Sequence, residues 1–215
     1  VNTKAASELH KDVPPDWYHR SIKENALQRF WHKKRIENVK KMIEPVKDKV
    51  LDIGSADGMF TEVITEKSGA KKVIGIDVLE LSIDWSNKYY KKNKKMEFKK
   101  GDVHKLDFPE NEFDAVFALE VLEHVFDPTK ALKEIKRVLK KGGYAVLLVP
   151  AENWLFEIVW FLWHFSGRMV WKHTHLHKYS NSKLTHLCKE VGFKIEKDEK
   201  FLLGMLHLLK VRKTK

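Results

Sequence analysis

Residues Lys49 to Phe60 read K-V-L-D-I-G-S-A-D-G-M-F, and this stretch constrains the chain more than any other. Val50, Leu51 and Ile53 make a short apolar run suited to a buried strand, and Gly54 to Gly58 make a small-residue turn into a helix. A second apolar run, Lys72-Val73-Ile74-Gly75-Ile76-Asp77, follows after one helix length and ends in a carboxylate. A strand, a glycine turn, a helix and an acid about 20 residues past the first glycine form a unit that cradles a nucleotide, the acid accepting from the ribose hydroxyls.

The charges around the turn select among nucleotides. A dinucleotide site places a pyrophosphate over the helix N-terminus and tolerates nothing negative there. This turn carries Asp52 and Asp57, has G-x-A-x-G, and lacks a third glycine. Those acids suit a ligand bearing an ammonium and a sulfonium, directly or through water, so S-adenosylmethionine fits better than NAD.

Apolar runs near 49–54, 72–77, 96–100, 113–118 and 143–149 alternate with helical patterns near 58–68, 80–93 and 129–140. That alternation predicts a parallel sheet with helices on both faces. Upstream, Ile22, Ala26, Leu27, Phe30, Trp31, Ile36, Val39 and Ile43 recur at helical spacing, predicting one N-terminal cap helix from Ser21 to about Ile43, ended by Pro45. Leu139 to Gly143 reads as a helix stop. Ser180 reads as the N-cap of a helix through Val191 that Gly192 closes. The length of 215 residues suits a single domain: an arm and cap over 1–46, a cofactor-binding core over 47–150, a lid or acceptor segment over 151–179, and a C-terminal helix and strands over 180–215.

The ordered motifs V-L-D-I-G-S-A-D-G at 50–58, V-I-G-I-D at 73–77, G-D-V-H-K-L-D-F-P at 101–109, F-D-A-V-F-A-L-E-V-L-E-H-V at 113–125, L-K-K-G-G at 139–143 and H-L-H-K-Y-S at 175–180 resemble the class I S-adenosylmethionine-dependent methyltransferases, in the group that includes ubiquinone-type O-methyltransferases. The resemblance implies a Rossmann-like, doubly wound, seven-stranded sheet, mostly parallel, with the last two strands forming an antiparallel pair at its edge. It places Asp52, Gly54, Ser55, Ala56, Gly58, Asp77, Val78, Asp102, Val103, Leu119 and Glu120 around the cofactor. Asp77 would accept from the ribose, Asp102 and the Val103 amide would hold the adenine, and Leu119 and Glu120 would meet the methionine moiety. Arg35 or Arg29 could reach the cofactor carboxylate. The family usually has glycine where Ala56 stands, so the backbone here approaches that moiety less closely.

Methyl transfer from an activated sulfonium needs alignment and removal of a proton. His124, four residues past Glu120, can take the acceptor's proton or only shape the pocket, and His177 can point into the same pocket. His173, His175 and His177 alternate, yet no nearby carboxylate supplies a fourth ligand, so no metal is expected. The stretch 153–171 holds four of the seven tryptophans and is too interrupted to span a bilayer, which takes about 20 apolar residues; it suits a lid over an apolar acceptor pocket or a helix lying in a membrane interface. These features point to O-methylation of an apolar small molecule or lipid-linked acceptor. A net charge of +11, nearly all lysine and dense between Lys91 and Lys100, keeps RNA or protein methylation as an alternative. A binding module without turnover is the rival from outside the enzymes. The single cysteine, Cys188, allows no intrachain disulfide, and Val1 to Lys11 shows no signal-like pattern, so a cytoplasmic protein, with membrane association through 153–171, is expected.

Overall fold

The computed structural model describes residues 13–151, 176–179 and 182–214. Two helices, α1 (Trp17–Glu24) and α2 (Ala26–Met42), lead into β1 (Lys49–Ile53), α3 (Met59–Ser68), β2 (Lys72–Asp77), α4 (Glu80–Tyr89), β3 (Met96–Lys100), β4 (Phe113–Leu119), α5 (Pro128–Val138) and β5 (Leu139–Pro150). The chain then forms α6 (Lys183–Glu190), β6 (Lys194–Phe201) and β7 (Leu206–Arg212). The seven strands lie in the order β3-β2-β1-β4-β5-β7-β6. β1 to β5 are parallel, and β7 runs antiparallel between β5 and β6. The order reverses between β1 and β4, so their carboxyl ends border the crevice where ligands of open α/β sheets bind.

Each central strand is buried on both sides, and alternate residues enter two separate cores. Leu51, Ile53, Val116, Ala118, Ala145 and Leu147 pack with α5 and α6. Val50, Val73, Ala115, Phe117, Val146 and Leu148 pack with α2 and α3. α5 buries Ala131, Leu132, Ile135 and Val138, one stripe at helical period, and starts with Pro128 behind an Asp127 cap that accepts from the Lys130 amide at 2.9 Å.

The N-terminal cap differs from the single helix predicted by periodicity. Asn25 adopts an extended backbone (φ −135, ψ 118) and accepts from the amides of Leu27 and Gln28, so one helix ends and another starts there. The inward face of α2 also differs: Gln28, His32 and Arg35 are buried, whereas Leu27 and Phe30 are exposed. The reason is a charged partner in the core, described below.

Gly142 and Gly143 terminate no helix. α5 ends at Val138, and the chain enters β5 at Leu139, with the glycines inside that strand. Gly142 has φ +77, the β4–β5 register shifts between Phe113 and Ala115, and a Cβ on Gly143 would stand 2.9 Å from the Asp114 carbonyl oxygen. The pair thus makes a bulge in which Gly142 supplies the left-handed backbone and Gly143 the close approach to β4, while a Cβ on Gly142 would meet open space. α4 ends at Tyr89, short of residue 93, in a turn closed by the Asn93 amide on the Tyr90 carbonyl. The helix after 182 starts at Lys183 and is followed by Gly192 at φ +85. Ser180, the segment 153–171, His173 and His175 lie outside the described residues.

Candidate cofactor and acceptor site

The site forms because four strands end side by side. Ile53 is in register with Ile76 on one side and Ala118 on the other, so Gly54, Asp77 and Leu119 emerge together. The amides of Gly54 and Ser55 donate to the Ile76 carbonyl at 2.8 and 3.0 Å, and the Gly101 amide donates to that of Asp77 at 2.9 Å. Gly54 has φ +72, and a Cβ there would sit 2.4 Å from Val121 Cγ2, so the turn after β4 rests directly on the glycine turn. Gly58, at φ +78, is pressed equally hard by Tyr90 and Phe98.

Asp77 is half-buried, and its carboxylate accepts from the Ala56 amide at 3.0 Å and the Leu79 amide at 2.9 Å. Those bonds point the acid over the turn. Ala56 is held at φ +45, a left-handed conformation unfavourable for any residue with a Cβ, and its carbonyl accepts from Ser86 Oγ at 3.0 Å. Val78 beside it is half-buried.

The two acids of the turn behave differently from Asp77. Asp52 is buried against α3 and accepts from Thr61 Oγ1 at 2.6 Å; burial, with a smaller effect of Asp77's charge, pushes its carboxyl up to about 7. Asp57 is buried under α1 and does not face open crevice: it accepts from the His19 amide at 2.8 Å and pairs with His19 Nδ1 at 3.0 Å. The His19 ring continues to the Tyr90 hydroxyl at 3.2 Å and lies against Trp85 and Tyr89. No sequence pattern pointed to His19, because the contact spans 38 residues.

Beside the turn after β4, Arg35 is 1% exposed. Its Nη2 stands 2.7 Å from Glu120 Oε2, its Nη1 donates to His32 Nδ1 at 2.9 Å, and its guanidinium lies 4.9 Å from the Phe60 ring and 5.5 Å from that of Tyr18. Burial, aided by the Arg35 charge, lowers His32 to about 2, so its ring is neutral and accepts. Glu120 reaches Arg35 from a backbone at φ +58, with its amide on the Leu148 carbonyl at 2.8 Å. This ion pair explains the polar inner face of α2. Arg29 is turned away, donating to the carbonyls of Ile22 and Lys23 at the end of α1.

After β3, Asp102 Oδ1 accepts from both the His104 amide at 2.9 Å and His104 Nδ1 at 2.7 Å. His104 Nε2 accepts from the Asp127 amide at 3.3 Å, which fixes the proton on Nδ1. Both bonds fall on Oδ1, and Oδ2 of Asp102 takes part in neither. The D-x-H spacing was legible as a signal for His104. Val103 is buried among Ile76, Leu106 and Val125.

The turn that carries His124 and the segment that carries His177 are joined by backbone pairing. Residues 121–124 form a turn, closed by the His124 amide on the Val121 carbonyl at 2.9 Å, rather than a helical continuation of Glu120. The amides of Leu176 and His177 donate to the Glu123 carbonyl at 2.8 and 3.1 Å, and Tyr179 Oη donates to that of Leu122 at 3.1 Å, strapping the 176–179 segment to this turn. His124 Nε2 stands 4.0 Å from Oε1 of the buried Glu123. Among the described residues no His, Cys, Asp and Glu cluster could hold a metal, and no helix is long and apolar enough to cross a membrane.

The residues present fit S-adenosylmethionine. Arg35 Nε and Ser55 Oγ are buried without hydrogen-bonding partners among the described residues, at the end where a carboxylate and an ammonium would lie. Asp77 and Asp102 offer acceptors at the ribose and adenine positions.

A family model described as a methyltransferase domain matches residues 23–198. The ubiquinone biosynthesis O-methyltransferase of Pelagibacter ubique is 32% identical over 145 residues, covering 65% of this chain and 56% of that protein. A sterol 24-C-methyltransferase of Aspergillus fumigatus is 38% identical over 98 residues, covering 44% of this chain and 26% of its own length. The chain therefore spans between about a quarter and just over half of these curated relatives. In fold it is similar to a chain from the complex between the Haloferax volcanii Trm112 methyltransferase activator and a methyltransferase, with a TM-score of 0.75, 18% identity, and coverage of 95% of this chain and 99% of that one. With its sheet order, its glycine turn and a family match over most of its length, the chain belongs to the class I S-adenosylmethionine-dependent methyltransferases.

Proposed function

We propose that the protein binds S-adenosylmethionine across the carboxyl ends of β1 to β4 and transfers its methyl group to an oxygen of an apolar small-molecule or lipid-linked acceptor. The observation that carries the cofactor half is the buried Arg35 with its unpaired Nε, held beside Glu120 and over the Phe60 ring. An arginine locked between Tyr18 and Phe60 is a pre-organised receptor for a carboxylate. When bound, the cofactor supplies a methyl group already activated by its sulfonium.

The chain's own residues then align and deprotonate. Asp77 orients the ribose, Arg35 the carboxylate, and the turn at 119–124 the methionine end. His124, in the turn whose Glu123 and Leu122 carbonyls bind the 176–179 segment, accepts the proton from the acceptor's hydroxyl as the C–O bond forms and the C–S bond breaks. The relatives support the acceptor class, since ubiquinone and sterol methyltransferases act on apolar molecules by their names. Charge placement supports it too. Lys91, Lys92, Lys94 and Lys95 stand between the end of α4 and the start of β3, at the opposite edge of the sheet from the reaction crevice.

Two measurements test this. Asp77→Ala should weaken S-adenosylmethionine binding about tenfold or more by calorimetry, the loss expected for hydrogen bonds to a charged acceptor; unchanged affinity removes Asp77 from the site. With methyl-labelled cofactor and a mixture of polyprenyl catechols, RNA and protein, label should enter the organic phase. Label recovered in RNA or protein would overturn the acceptor assignment.

A further inference from the structure

Seven large hydrophobic side chains are exposed among the described residues, and six of them stand on one edge of the molecule. Leu27 (61% exposed) and Phe30 (50%) belong to the N-terminal half of α2. That helix runs antiparallel to β1, so its start projects past the carboxyl edge; Arg35 is level with Glu120, and Leu27, eight residues earlier, lies about 12 Å beyond at 1.5 Å per residue. Leu81 is in the first turn of α4, just after β2; Phe126 follows β4; Leu176 is bonded to Glu123; and Leu203 is in the β6–β7 hairpin, whose Leu206 pairs with Pro150 at the end of β5. Every one of those connections leaves the carboxyl edge. Tyr89, the seventh, ends α4 and stacks on Trp85.

Positive charge accompanies the part of the rim formed by α1 and α2. Residues 23–34 carry Lys23, Arg29, Lys33 and Lys34 against the single acid Glu24; the Lys34 ammonium lies 5.9 Å from the Phe30 ring and pairs with Glu37 at 3.0 Å, which leaves Lys23 and Lys33 as the lysines without an acid partner among the described residues. Aliphatic and aromatic side chains standing clear of the surface with cations a helical turn away form a surface that inserts into an anionic lipid interface. Other occupants fit less well. Four of the six are leucines, which offer no face for stacking a base, and the Arg29 guanidinium is bound to backbone carbonyls rather than presented. A second copy of the chain would bring the same positive patch against itself.

We propose that the carboxyl-edge rim, led by Leu27 and Phe30 of α2, is a docking surface for an anionic bilayer, so that the crevice opens onto the membrane. The proposal deepens the apolar-acceptor reading and rests on none of the residues 153–171. Its test needs neither acceptor nor turnover. The full chain, as wild type and as the Leu27→Ser, Phe30→Ser double variant, is sedimented with phosphatidylcholine vesicles of which roughly a third of the lipid is phosphatidylglycerol, to match a strongly anionic leaflet. Wild type should bind, release with added salt, and lose about tenfold in affinity in the double variant. Both changes are at exposed positions, so thermal unfolding and S-adenosylmethionine affinity should be unchanged and serve as the check on folding. Absence of vesicle binding, equal binding by wild type and double variant, or self-association that the double variant abolishes would each overturn the proposal. S-adenosylmethionine affinity measured on the same samples reports separately on the methyltransferase reading.

Discussion

Ala56 offers the cleanest quantitative test of the glycine turn. Its φ of +45 is imposed from both sides, by its amide donating to Asp77 Oδ2 at 3.0 Å and by Ser86 Oγ donating to its carbonyl at 3.0 Å. A left-handed conformation costs a residue with a Cβ about 1–2 kcal/mol, and replacing alanine by glycine costs about 0.5–1 kcal/mol through the freedom that glycine loses on folding. Ala56→Gly should therefore stabilise the protein by about 0.5–1 kcal/mol. For a chain of this size that raises Tm by about 1–4 °C, read by calorimetry or circular dichroism and checked by a rise in the urea midpoint at unchanged slope. Ala56→Val, with a branched Cβ at the same φ, should move Tm the other way. An Ala56→Gly protein that melts at or below the wild-type temperature would refute the argument that these two bonds hold Ala56 in strain.

Asp52 should imprint a pH dependence on stability. Its ordinary value is 3.8 and burial holds it at about 7, so the unfolded chain ionises first, and folding is progressively disfavoured by this group as pH rises from about 4 to about 7. Asp52→Asn should thus gain stability relative to wild type at pH 7.5 compared with pH 4.5 in urea titrations; an equal difference at both pH values would contradict the burial argument. His124→Ala should lower turnover by roughly 100-fold with S-adenosylmethionine affinity nearly intact, as expected for a positioned base. A matching loss of cofactor affinity in calorimetry would make His124 a structural residue.

Much of this architecture was legible in the residues because it is local. Val50 to Ile53 with Gly54, and Val73 to Ile76 with Asp77, carry strand, turn and acid within one βαβ unit, and the alternation downstream leaves few windings available. Asp77 lies where that unit requires an acceptor. The antiparallel edge pair came from family resemblance, and the sheet has it.

Tertiary structure alone decided which polar groups are buried and what they meet. Periodicity places leucine and phenylalanine inward on α2, yet Leu27 and Phe30 face out, because Glu120, 85 residues beyond Arg35, supplies a charge that makes burying the arginine tolerable. Asp57 looked free to meet a ligand until α1 laid His19 across it, and Gly142-Gly143 looked like a helix stop until β4 approached Gly143 too closely for a side chain. A sequence states each residue's own preference within about one turn of helix or one strand. Burial of a charge and closeness of two backbones depend on partners that only folding brings near.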